Sequence, residues 1–326
     1  MKKVMALVLV LFIGVTGFIG CTKEATQGKA NVVALKGPTG MGMVKLMEDD
    51  ELGKTTNDYT FSMSGAPDEV VGMITTGQVD IAAVPTNLAA TLYKKTEGKV
   101  KIIANNTLGV LYIVTNGVEI TKASDLRGKK IYATGLGTTP EYVLNYVLEQ
   151  NGLIVGKDVD VEYRAEHSEV ATLMAAGEIE IALLPQPFVT SVLMLNKNVK
   201  IALDMTKEWE NVSGETPSAL VMGSIIVRTE FLEKNKAVVD SFLKEYAAST
   251  EYVNNDIDES AALIEKFDIM KAAPAKVAIP KSSITCIDGS EMKSMTSGFL
   301  EVLFKANPKS VGGELPDEDF YYQGKK

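Results

Sequence analysis

Residues 69–85 read EVVGMITTGQVDIAAVP, and residues 169–185 read EVATLMAAGEIEIALLP. The two stretches align without a gap at a spacing of 100 residues. Six of the 17 positions are identical (Glu, Val, Gly, Ile, Ala and Pro), where average composition gives about one match. Val79/Ile179 and Asp80/Glu180 are conservative pairs. In each copy a short helix with an apolar face stops at a glycine, Gly77 or Gly177. A continuous apolar run follows, as expected for a strand buried on both faces of a parallel sheet, and a proline ends it. A repeat at fixed period points to two supersecondary units of similar shape. Two similar lobes leave a cleft between them in which a ligand can be held.

Outward from the repeat, the same order of elements appears on both sides. In the first half, strands are expected at 31–35, 59–63, 79–84 and 100–104, with helices at 41–50, 67–76 and 87–94. In the second half, strands are expected at 130–133, 159–164, 179–184 and 199–203, with helices at 140–151, 169–176 and 188–195. Strands alternating with helices of this length make βαβ units and parallel sheets. Residues 111–114 read as a strand leaving the first lobe, and 219–227 as a strand returning to it. Beyond Arg228 the pattern is helical to the end, with Phe231, Val238, Phe242 and Tyr246 marking a long amphipathic helix. The expected fold class is therefore α/β, two Rossmann-like lobes with parallel-rich sheets joined by two hinge crossovers. Lobe one takes residues 31–115 plus 217–326, and lobe two 116–216.

The N-terminus reads as a targeting segment. Lys2 and Lys3 precede a nearly unbroken apolar run over residues 4–20. Its end, Phe18-Ile19-Gly20-Cys21, resembles the bacterial lipobox. That resemblance implies a lipoprotein signal peptide over residues 1–20, lipidation of Cys21 and a tether over 21–30. A plain signal peptide or an uncleaved membrane helix is the alternative. The stop at a cysteine followed by the polar stretch TKEATQGKA favours the lipoprotein. The net charge of −9 argues against phosphate-backbone binding as the main task, so no nucleic-acid partner is expected. With Cys21 lipidated, Cys286 has no partner and no disulfide framework is expected.

Residues 124–153 read SDLRGKKIYATGLGTTPEYVLNYVLEQNGL. This segment resembles the opening of the second lobe in solute-binding proteins of the nitrate/sulfonate/taurine type, which serve ABC importers. Residues 173–189 (LMAAGEIEIALLPQPFV), 225–253 and the C-terminal GGELPDEDFYY resemble further segments of that family, in the right order. The resemblance implies a type II periplasmic-binding-protein fold, solute bound between lobes that close on it, and a permease in the membrane as partner. The expected protein is a monomer anchored outside the cytoplasmic membrane, a receptor and not an enzyme, without cofactor or metal. Pyrimidine- or menaquinone-pathway enzymes on the same fold, or a sensor lipoprotein, are the alternatives.

Ligands of open α/β sheets bind beyond the carboxyl ends of the strands. That rule selects Pro38, Thr39, Gly40, Ser64, Gly65, Thr86 and Asn87 in lobe one. In lobe two it selects Thr138, Thr139, Arg164, Gln186 and Phe188. Helix N-termini facing the cleft would favour a polar or anionic ligand group. The same glycines, threonines and amides also suit turns and caps. Arg164 could fork onto an oxyanion or pair with Glu162, Glu166 or Glu169 at the surface. His167, the only histidine, could contact ligand or sense pH. Met41, Met43 and Met47 have a spacing that could hold Cu(I), but they also fit a buried helix face. Asp80 and Glu180 lie at the wrong strand end for an acid/base couple.

Overall fold

The computed structural model describes residues 28–213 and 219–324. The expected signal peptide, Cys21 and most of the tether lie outside the described residues, as does the expected second boundary between the lobes near residue 216. Lys29 and Ala30, read as the end of the tether, instead pair in the first strand opposite Asp58 and Tyr59.

The first half runs β1 (Lys29–Leu35), α1 (Pro38–Met41), α2 (Val44–Glu51), β2 (Asp58–Ser64), α3 (Pro67–Thr75), β3 (Ile81–Pro85), α4 (Thr86–Lys95) and β4 (Val100–Thr107). After β5 (Leu111–Asn116) come β6 (Lys130–Thr134), α5 (Thr139–Gln150), β7 (Asp160–Arg164), α6 (His167–Ala176), β8 (Ile181–Pro185), α7 (Phe188–Leu195), β9 (Val199–Asp204) and α8 (Met205–Val212). The chain then returns through β10 (Gly223–Arg228) to α9 (Thr229–Lys234), α10 (Lys236–Asn255), α11 (Ile257–Lys266), α12 (Ala272–Ala278), β11 (Ile284–Ile287) and α13 (Gly289–Ala306). The repeat is structural: β3 and β8 occupy positions 100 residues apart, and Gly77 and Gly177 both take positive φ, 74° and 77°. Only glycine adopts that conformation without strain.

The sheets have orders β11-β4-β10-β3-β1-β2 and β7-β6-β8-β5-β9. In the first, β1 pairs parallel with β2 and β3; in the second, β6 pairs parallel with β7 and β8. Each sheet also accepts an antiparallel strand. β10 lies between β3 and β4, with Ile225 opposite Ala83, and β5 lies between β8 and β9, with Ile113 opposite Leu183. The lobe boundary expected at residue 115 is therefore corrected, because β5 belongs to the second sheet. An apolar run such as Leu111–Asn116 does not disclose which sheet it completes; pairing with β8 and β9 decides it. The tail is not all helix either, since β11 pairs antiparallel with β4. The helix expected at 41–50 divides into α1 and α2.

Side chains alternate between the faces of β1. Val32 and Ala34 pack with Phe242 and Tyr246 of α10, whereas Val33 joins a core that reaches both lobes. In that shared core Trp209 of α8 is fully buried between Tyr146 of α5 and Phe299 of α13, with ring centroids 4.9 and 5.3 Å apart. Met43 and Met47 fill the α10 side of the first sheet, and Met41 packs with Val44, Val253 and Ile264. The methionines are therefore core filler. Cys286 is half-buried, and burial pushes its thiol up to about 12. Among the described residues, no helix is long and apolar enough to cross a membrane.

The repeated carboxylates have diverged. Asp80 is buried, takes Arg228 Nη2 at 2.6 Å and accepts from the Asn31 N–H at 2.9 Å, while Glu180 is exposed. Removing one partner of a mostly buried pair leaves the other uncompensated. Asp80→Ala should cost about 2 kcal/mol in urea unfolding, and Glu180→Ala less than about 0.5 kcal/mol.

Candidate functional site

The carboxyl ends of β1, β3 and β8 converge on a cavity of about 80 Å³ between the lobes. Its walls include Leu35, Pro38 and Pro85 from the first lobe and Pro140, His167 and Pro185 from the second. Pro85 and Pro185 close the two repeat copies, and Pro38 and Pro140 stand in the first turns of α1 and α5. Four prolines, two from each lobe, thus frame the space. A larger groove, about 470 Å³, runs past Thr115, Gly117 and Lys200. It belongs to one lobe and lies at the other end of β5, so the interlobe cavity is the better candidate.

Beside the cavity the lobes are tied by side chains. Thr139 Oγ1 donates to Asn87 Oδ1 at 2.9 Å and accepts from the Asn87 N–H at 3.3 Å. Asn87 Nδ2 donates to the carbonyls of Gly137 at 3.3 Å and Ser310 at 3.1 Å. Both side chains are essentially inaccessible. Asn87 and Thr139, both selected from sequence, are thus brought together as a latch between the lobes.

The other selected residues divide. Pro38 and Thr39 line the cavity, and the Thr39 hydroxyl donates to the Leu35 carbonyl at 3.0 Å. Gly65 faces Glu166 across the lobes, and Phe188 lies 5.3 Å, ring to ring, from His167. Gly40 instead lets β2 approach, since a Cβ there would collide with Met63. Ser64 is spent on its own turn, donating toward Ala66 O and Glu69 Oε2. Thr86 is buried against Ser224 at 2.9 Å. Thr138 donates to Gly135 O at 2.7 Å, and Gln186 caps α7 by accepting from Thr190 N–H and Oγ1. Arg164 ends the edge strand β7 and pairs there with Glu162 and, at 3.3 Å, Glu169. None of these five side chains lines the cavity.

The cavity is weakly polar. Lys36 is held by Asp268 at 2.8 Å. His167 is half-buried, and its Nδ1 meets the Thr134 hydroxyl. Desolvation pushes its pKa down to about 4, so the imidazole is neutral across ordinary pH. Some donors at helix starts are already used, the Asn87 N–H by Thr139 and the Thr190 N–H by Gln186, whereas α1, α5 and α6 begin without a side-chain cap. Proline also removes donors at the starts of α1 and α5. Pro85, Pro140 and Pro185 were legible only as strand stops and a helix start; Met222 and Gly223, at the head of β10, carried no signal at all.

The NMT1/THI5 like family model matches residues 59–260, well over half of the chain. The chain belongs to the NMT1/THI5-like family. No curated protein matches it in sequence. An ABC transporter structure from Parabacteroides distasonis is 22% identical, covers 92% of this chain and 100% of its own, and superposes with a TM-score of 0.73. The periplasmic aliphatic sulphonate binding protein SsuA from Escherichia coli is 15% identical, with coverage of 92% and 94% and a TM-score of 0.71. The periplasmic nitrate-binding protein NrtA from Synechocystis PCC 6803 is 12% identical, with coverage of 88% and 84% and a TM-score of 0.66. At these identities the likeness establishes a shared two-lobed fold.

Two measurements test the site of this NMT1/THI5-like protein. Asn87→Ala removes the latch, so X-ray scattering should give a larger radius of gyration for the unliganded variant than for wild type. Second, a native imidazole near 4 against about 6.5 unfolded means that the unfolded chain binds the extra proton between those values. His167 therefore subtracts stability as pH falls from about 6.5 to about 4. Over that range wild type should lose on the order of 1 kcal/mol more than His167→Gln, discounted for partial exposure.

Proposed function

We propose that this chain is an extracytoplasmic receptor that captures a small solute between its lobes and delivers it to an ABC permease. The observation that carries the reading is the cavity between the lobes at the carboxyl ends of both sheets, with Asn87 and Thr139 latched across the lobes beside it. A ligand that bridges two lobes stabilises the closed form by its differential affinity for it, and a closed form is what a permease can distinguish. The similarity to the structures of sulphonate- and nitrate-binding proteins supports the same reading. So does the N-terminal sequence, which suits export, cleavage before Cys21 and lipid anchoring of a monomer.

Binding without turnover fits the cavity chemistry. Its titratable side chains are Lys36, paired with Asp268, and His167, hydrogen-bonded to Thr134. Neither stands beside a nucleophile along the cavity wall. In the same reading Arg164 is a structural residue of the β7 edge and no longer an anion clamp.

Deleting the gene should abolish cellular uptake of the solute that raises the melting temperature of the purified protein, and the solute should be recovered chemically unchanged. Undiminished uptake, or conversion of the solute, would sink the receptor reading. Arg164→Ala should leave solute affinity within about twofold, because its guanidinium is committed to Glu162 and Glu169. A tenfold loss by calorimetry would return Arg164 to the site.

A further inference from the structure

We infer that the His167 Nε2–H is the hydrogen-bond donor that the cavity offers its solute, with Thr134 holding the imidazole in the tautomer that carries the proton there. The solute is then a small compound that meets the second lobe with a hydrogen-bond acceptor, such as a carbonyl or carboxylate oxygen. The inference rests on the receptor reading above and names the recognition chemistry of the same cavity.

His167 opens α6 and lines the cavity. The outer groove along the same helix is lined by Glu166, Ser168, Glu169 and Thr172 but not by His167, so the imidazole turns inward. Phe188 backs the ring at a centroid separation of 5.3 Å. Nδ1 meets the Thr134 hydroxyl. Nε2, on the far edge of the ring, has no hydrogen-bond partner among the described residues, yet it is not one of the sealed, unpaired polar atoms. The open space that His167 borders is the cavity, so Nε2 faces into it. The other polar side chains of the wall are committed or closed off. Lys36 is paired with Asp268 at 2.8 Å, the Thr39 hydroxyl donates to the Leu35 carbonyl at 3.0 Å, and the Thr107 hydroxyl is sealed from the space.

The position of the proton follows from a count of donors. A neutral imidazole has one N–H and one acceptor nitrogen, and desolvation keeps this ring neutral by pushing its pKa down to about 4. The Thr134 hydroxyl is buried, with Nδ1 as its one hydrogen-bond partner among the described residues. Were the proton on Nδ1, the hydroxyl would accept it and bury its own hydrogen unpaired, at the full desolvation cost. With the proton on Nε2, the hydroxyl donates to Nδ1 and both groups are satisfied. The hydrogen left over is Nε2–H, in a space otherwise walled by Leu35, Leu111, Met222 and prolines. A solute that filled this space without an acceptor would leave that N–H buried and unpaired. One carrying only donors would set N–H against N–H.

Acetone, acetate and acetamidinium test the assignment, because they share one planar shape and differ in charge and in whether they accept or donate. The chain has a single histidine, so 15N spectra of the labelled protein report one imidazole. The unliganded protein should show Nε2 protonated at neutral pH. Acetone or acetate should shift that resonance saturably, the stronger of the two revealing whether the acceptor is neutral or anionic, and acetamidinium should not. His167→Leu should weaken the stronger acceptor about fivefold, the equivalent of one neutral hydrogen bond, and His167→Gln, which keeps an N–H donor, should weaken it less. Thr134→Val should weaken it and admit the Nδ1–H tautomer, and Thr134→Ser should restore both. An Nδ1–H tautomer in the empty wild type, acetamidinium binding as tightly as the acceptors, no saturable shift with either acceptor, or affinity indifferent to His167→Leu would each overturn the inference. These results leave the receptor reading standing, because that reading fails only through retained uptake or chemical conversion.

Discussion

Each sheet is completed by a strand that the chain delivers while crossing between the lobes. β5 runs antiparallel between β8 and β9, and β10 runs antiparallel between β3 and β4. Both are interior strands, so detaching either would break two ladders of backbone hydrogen bonds and expose apolar residues such as Ile113 and Ile225. The chain therefore crosses between the lobes twice, from β4 to β5 and from α8 to β10. The parallel strands of both sheets run toward these crossings. Their carboxyl ends face one another across the hinge, which is why loops from both lobes meet at one cavity.

What surrounds that cavity is governed by where polar groups are already committed. The basic side chains near the strand ends are ion-paired, Arg164 with Glu162 and Glu169 at an edge strand and Lys36 with Asp268. Proline at the framing positions supplies shape without donors. Fold and ligand chemistry are set by separate features, and the structures of similar fold include both a sulphonate-binding and a nitrate-binding protein.

The latch between Asn87 and Thr139 joins these two levels. Its hydrogen bonds run between side chains of opposite lobes and are shielded from water. A neutral hydrogen bond is worth about 1 kcal/mol net. Together with the Trp209 contact to Phe299, the latch is one of the contacts that join the two lobes.

The hundred-residue repeat, the alternation of apolar runs and helical faces, and the glycine stops determined the α/β class, the pair of similar lobes and most of the element order, because periodicity and turn chemistry are local. The rule for strand ends selected Pro38 and Thr39, which line the cavity, and Asn87 and Thr139, which form the latch beside it. It also drew in Ser64, Thr86, Thr138, Arg164 and Gln186, whose partners lie in turns, neighbouring strands and helix caps that no spacing reveals. Tertiary structure alone decided that β5 completes the second sheet, that β11 pairs with β4, and that Asn87 meets Thr139 across the lobes. Strand pairing and hydrogen-bond satisfaction depend on residues far apart in the chain: Asn87 and Thr139 are read together only after both lobes have folded.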